Sequence, residues 1–117
     1  MRKSMKKIEE YKADLNIVLN DMAKIEGYLD AAAEHNNDKL FEEIFGGMIR
    51  NDMPEFMKDI DKLVDAMKRS FTIDYLMKPI ESEMSGVIDV LTSIEFIEKQ
   101  MKTIRTKHAI YYFNANK

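Results

Sequence analysis

Apolar residues recur along the first third of the chain with the spacing of a helix seam. Ile8, Leu15, Met22 and Leu29 repeat every seven positions, and Tyr11, Val18, Ile25 and Ala32 repeat three later. This 3-4 alternation puts them all on one face of a helix and fits no strand. The pattern predicts a helix over 5–33, capped by Ser4 and ended by His35-Asn36-Asn37. At 1.5 Å per residue it would be about 42 Å long. Asp38 opens a second, shorter helix whose wide stripe is Leu40, Phe41, Ile44, Phe45, Met48 and Ile49. Gly46-Gly47 interrupts that stripe, and each glycine costs a helix interior about 1 kcal/mol relative to alanine. The pair therefore predicts a kink, a frayed end or a close contact.

Asp52-Met53-Pro54-Glu55 is the strongest start signal in the chain, with an N-cap Asp, a proline in the first turn and a glutamate at N3. The third helix follows, with Met53, Phe56, Met57, Ile60, Leu63, Val64 and Met67 on one stripe. It stops near Ser70 or runs on through Phe71, Ile73 and Leu76 to Met77. Pro79 reads as the start of the last helix, 79–112, because proline fits a first turn and breaks an interior. Ile80, Met84, Val87, Leu91 and Ile94 keep 3-4 spacing there. The step to Ile97 is one short, and Met101, Ile104, His108 and Tyr111 resume the pattern; a missing residue of this kind shifts a seam. Breaks of two to five residues suit antiparallel neighbours. The expectation is one all-α domain over 1–117, an elongated antiparallel four-helix bundle with two long and two shorter helices.

Composition narrows the chemistry. The 117 residues include no cysteine, which excludes disulfides, zinc-thiolate sites and cysteine nucleophiles. The longest apolar run, Ala109 to Phe113, is too short for a transmembrane helix or a signal-peptide core, and a cytosolic protein is expected. Lysine-rich usage with much Ile, Asn, Asp and Met suggests a bacterial or phage coding bias. Of the ten methionines, most fall on core stripes, and Met5 and Met77 are the ones expected at the surface. No phosphate loop or catalytic signature occurs, so neither an enzyme nor a cofactor is expected.

Charge is uneven. Residues 1–12 hold five Lys/Arg and two Glu, net +3; residues 95–117 hold the same, net +3; the remaining eight Lys/Arg and seventeen Asp/Glu give the middle −9, for a total of −3. In an up-down-up-down bundle both basic segments share one pole. Lys3, Lys7, Lys99, Lys102, Arg105 and Lys107, with the aromatic run Tyr111, Tyr112 and Phe113, are therefore the candidate partner-binding residues. A pI near 5.4 and only four arginines disfavour a dedicated nucleic-acid binder. His35 falls at a helix end and His108 on the seam of the last helix. Neither has the exposed mid-helix setting of a phosphotransfer histidine, and no Glu-x-x-His supports a di-iron site. Glu42-Glu43 and Asp89 resemble the metal-binding segments of all-α nucleotide pyrophosphohydrolases, but each face carries one carboxylate, too few for Mg²⁺.

Phe45-Gly46-Gly47 after a long first helix resembles the Trp-x-Gly turn of small helical-hairpin substrates of type VII secretion. The tryptophan is absent, and so is their trailing Tyr-x-x-x-Asp/Glu signal, since Tyr111 leads to Ala115 and Tyr112 to Asn116. That resemblance implies a secreted hairpin partner. The residues themselves point to a non-catalytic protein-interaction module: an adaptor, inhibitor, chaperone or assembly factor. An anion- or nucleic-acid-binding basic pole is the alternative. A homodimer is expected if a short second helix leaves Ile8, Tyr11, Ile104 and Tyr111 uncovered. If the second and third helices together reach Met77, that seam is closed.

Overall fold

The computed structural model describes residues 6–77 and 84–115, and every extended element among them is helical. α1 (Ile8–Glu34) carries the heptad seam read from the sequence, with Tyr11, Leu15, Val18, Met22, Ile25, Leu29 and Ala32 all buried. It starts at Lys7 without a side-chain cap, and Glu9 and Glu10 in its first turn complement the helix dipole instead. The expected cap, Ser4, lies outside the described residues. The chain leaves α1 through Asn37, whose φ of 78° is the left-handed conformation that asparagine tolerates. Asp38 then caps α2 (Lys39–Gly47): its carboxylate accepts from the N–H groups of Leu40 at 3.0 Å and Phe41 at 3.2 Å.

The second and third helices expected from sequence are one rod. α2 passes through a π-turn, Met48–Asp52, into α3 (Met53–Phe71), and a second π-turn, Thr72–Met77, extends α3. Asp52 has helical dihedrals, φ −80° and ψ −38°, and its side chain caps nothing. The proline signal at 52–55 thus lies inside a continuous helix. A π-turn widens the backbone spiral by one residue, so the rod changes phase there without stopping. Over residues 39–77 the rod is about 58 Å long, against a longest molecular dimension of 57 Å. α4 (Met84–Ala115) completes the described chain. The expected start of that helix at Pro79 lies outside the described residues.

Cross-helix contacts fix the directions. Tyr11 on α1 meets Ser70 and Asp74 at the end of the middle rod, and Tyr75 reaches the Lys6 carbonyl, so those two run antiparallel. Lys12 pairs with Asp89, and Lys107 pairs with Glu26 and Asp30, so α1 and α4 run parallel. The bundle is therefore three rods, measuring 57 × 29 × 18 Å, and not four helices.

Three expectations change with it. The described parts of the two basic segments, 6–12 and the end of α4, lie at opposite ends of the bundle, so these parts do not share a pole. The middle rod reaches Met77 and covers the seam: Tyr11 and Ile104 are fully buried, and Ile8 and Tyr111 pack against the core. On α4 the buried seam is Val87, Val90, Ile94, Ile97, Met101, Ile104 and His108. That is unbroken 3-4 spacing, with Val90 in the place assigned to Leu91. Leu91 and Met84 face outward, and no residue is missing from the repeat.

Candidate interaction surface

Three of the candidate cations on α4 have carboxylate partners in the structure. Arg105 pairs with Asp61, and Lys99 with Glu95 at 3.3 Å one turn back. Lys107 reaches both Glu26 and Asp30 at 2.9 Å, and those hydrogen bonds hold its ammonium above the usual lysine range. Lys102 and Phe113 are exposed, Lys7 sits at the opposite end before α1, and Lys3 lies outside the described residues.

Two residues of the aromatic run, Tyr111 and Tyr112, are hydrogen-bonded across the bundle. Tyr111 donates to the Glu42 carboxylate at 2.5 Å, and Glu42 also pairs with Arg50 on the far side of Gly46. Gly46 is buried, and a Cβ there would come within 2.4 Å of that carboxylate. The glycine lets the Glu42 side chain lie along the helix toward Arg50. Phe45-Gly46-Gly47 thus lies within the middle rod, and the turn between α1 and α2 is at 35–38.

One turn further on, Pro54 has no N–H to give. In an α-turn residue 54 would serve the Arg50 carbonyl, and in a π-turn the Ile49 carbonyl. Those two carbonyls accept from α4: Tyr112 donates its hydroxyl to Arg50 O at 2.6 Å, and His108 donates Nε2–H to Ile49 O at 2.8 Å. The buried His108 is therefore a satisfied seam residue, edge-on to Tyr112 with ring centroids 4.9 Å apart. Sequence reading placed His108 correctly and missed its partner. Half of the signal was present, since Pro54 in a helical rod predicts one carbonyl, that of Arg50, in want of a donor; the second follows only from the π-turn, whose shift from i−4 to i−5 pairing leaves Ile49 O and Arg50 O facing the single position 54.

The other end of the molecule exposes large apolar side chains beside the Lys6–Asp14 and Lys12–Asp89 pairs. The contacts of Tyr11, Lys12 and Tyr75 bring together the start of α1, the Thr72–Met77 turn and the start of α4. Ile73, Leu76 and Met77 are exposed on the rod there. On α4, Met84, Ile88 and Leu91 follow i, i+4, i+7 spacing and are 70%, 53% and 39% exposed. Near the opposite end, a groove of about 670 Å³ runs between α1, α2 and α4, lined by Leu29, Ala32, Phe41, Lys107, Ile110 and Tyr111 among others.

Among the described residues, no cluster of three or more acidic or histidine side chains is placed to hold a metal ion, and no helix is long and apolar enough to cross a membrane. No buried side-chain N or O atom among them lacks a hydrogen-bond partner. Comparison with protein-family models, with curated proteins and with solved structures finds no match to this chain.

Proposed function

We propose that this chain is a non-catalytic protein-interaction module whose docking face is the apolar end built from Ile73, Leu76, Met77, Met84, Ile88 and Leu91. The observation that carries the reading is the α4 stripe: three large apolar side chains at i, i+4, i+7 turned to solvent on a helix that already buries a complete seam. Large apolar side chains exposed together on one helix face mark an interface, and the spacing is that of anchors for a helix or groove. The two methionines adapt to an irregular partner. The partner is another protein or a second copy of the chain. Three of the candidate cations, Lys99, Arg105 and Lys107, are engaged by Glu95, Asp61, Glu26 and Asp30, which favours the apolar residues over an anion-binding surface.

The test combines light scattering at micromolar concentration with affinity capture, using the parent, an Ile88→Glu/Leu91→Glu variant and a Lys102→Glu control. Either a dimer or one defined co-purifying protein is expected. It should be lost in the Ile88/Leu91 variant, kept in the control, and lost without a change in melting temperature. A clean 13.7 kDa species that captures nothing rejects the proposal, as does a partner indifferent to the double substitution.

A further inference from the structure

We infer that α2 is a strap that opens as a unit, hinged at the Met48–Asp52 π-turn and latched shut by Tyr111, His108 and Tyr112 of α4. Two features make it the weakest part of the bundle. Its one buried residue is Gly46, whereas α1, α3 and α4 each bury a continuous apolar seam. Phe41 and Phe45 pack only partly against the core, and the groove of about 670 Å³ separates the start of α2 from α1 and α4. Segments with few buried contacts open first and below the global unfolding energy.

The hinge is set by covalent chemistry. The π-turn is bonded from Met53 N–H to Met48 O; the next position, 54, is the one that would serve either Ile49 O or Arg50 O, and Pro54 supplies an N–H to neither, so the backbone ladder is interrupted there. Its two open acceptors are held from α4, four residues apart on one face, by His108 and Tyr112. Tyr111, beside Tyr112, grips the strap itself through Glu42. When the latch lets go, water can serve both carbonyls. Asp38 keeps α2 helical from its own N-terminus, so the segment swings out as a helix between the 35–38 turn and the π-turn. Opening uncovers Phe41, Phe45 and the end of the α1–α4 seam, a face distinct from the apolar end assigned to partner binding.

Hydrogen–deuterium exchange on the full chain tests the device. In the parent, amides of 41–50 are expected to exchange at least tenfold faster than those of 18–29 and 94–104. Tyr112→Phe removes one latch donor and should speed exchange of 41–50 a further five- to tenfold, with 18–29 and 94–104 unchanged. Pro54→Ala restores an N–H to the hinge. It should slow exchange of 41–50 alone and cancel most of the Tyr112→Phe effect in the double variant, as coupled sites do. Exchange of 41–50 no faster than the seams overturns the strap. Tyr112→Phe raising all three regions alike also overturns it. An undiminished Tyr112→Phe effect in the Pro54→Ala background overturns the hinge.

Discussion

Leu15 and Leu91 sit on two long helices, and the bundle treats them differently. Leu15 is 1% exposed in the α1 seam and Leu91 is 39% exposed on α4. Leu15→Ala should therefore cost about 2–5 kcal/mol and Leu91→Ala less than about 1 kcal/mol, as read by chemical denaturation. Equal losses would put Leu91 back on the seam. Gly47 offers the opposite sign. It is exposed with helical dihedrals, φ −63° and ψ −42°, and a Cβ would meet nothing within 4 Å. Gly47→Ala is expected to raise stability by about 0.5–1 kcal/mol. Tyr11 makes stability depend on alkaline pH. Burial is the main reason its hydroxyl is pushed up to about 12, and the neighbouring Asp74 carboxylate adds to it. Because the folded value lies above the ordinary 10, the neutral phenol's contribution is complete below pH 10 and is lost as pH rises through 12. Two pH units correspond to about 2–3 kcal/mol. Burial likewise raises Tyr75, and its paired carboxylates raise Lys107, so both act with the same sign. The gap in stability between the parent and Tyr11→Phe should narrow between pH 9 and pH 12; a constant gap would contradict the account.

At the scale of the element, α1 was readable because its 3-4 spacing persists through every turn from Tyr11 to Ala32, and one phase fits them all. α4 was readable as a helix and misread in phase. Val90 and Leu91 are adjacent, and choosing the larger residue demanded a missing position before Ile97 that Val90 makes unnecessary. In a regular bundle the phase that needs no interruption outweighs side-chain size, since a helix seam is set by geometry. The middle rod was split in two because Asp-Met-Pro-Glu is a valid N-terminus when a chain begins there. It is equally tolerable within a rod if other groups serve the carbonyls that proline and the π-turn together leave open. Those groups, His108 and Tyr112, lie more than fifty positions further on, and a local reading of 52–55 cannot see them. The same holds for Gly46, whose reason is the Glu42 carboxylate lying over it.

At the scale of the molecule, helix count decides where the chain ends lie. With four alternating rods the start of the first and the end of the last share a pole; with three they are at opposite ends. The local sequence fits both, so the basic segments could not be assigned to one surface until the 52–55 junction was known to be continuous. The difference is large enough to measure. Lys12 faces Asp89 and Asp30 faces Lys107, so Lys7 is level with the first turn of α4, and Asn114 is about 45 Å further along at 1.5 Å per residue. A chain without cysteine accepts a pair of labels cleanly, and both positions are exposed. Spin labels on Lys7→Cys and Asn114→Cys should give one distance distribution centred near 45 Å, broadened by the label arms. The shared-pole arrangement would put the same labels roughly 10–20 Å apart, one to two interhelix spacings. The measurement also tests the charge argument. Lys102 lies about 20 Å along the bundle from Lys12, which faces Asp89, more than twice the Debye length of about 8 Å at physiological salt, so the two are largely screened from one another. Reversing Lys102 and Arg105 to glutamate should then leave binding at the apolar end unchanged, apart from the loss of the Arg105–Asp61 pair.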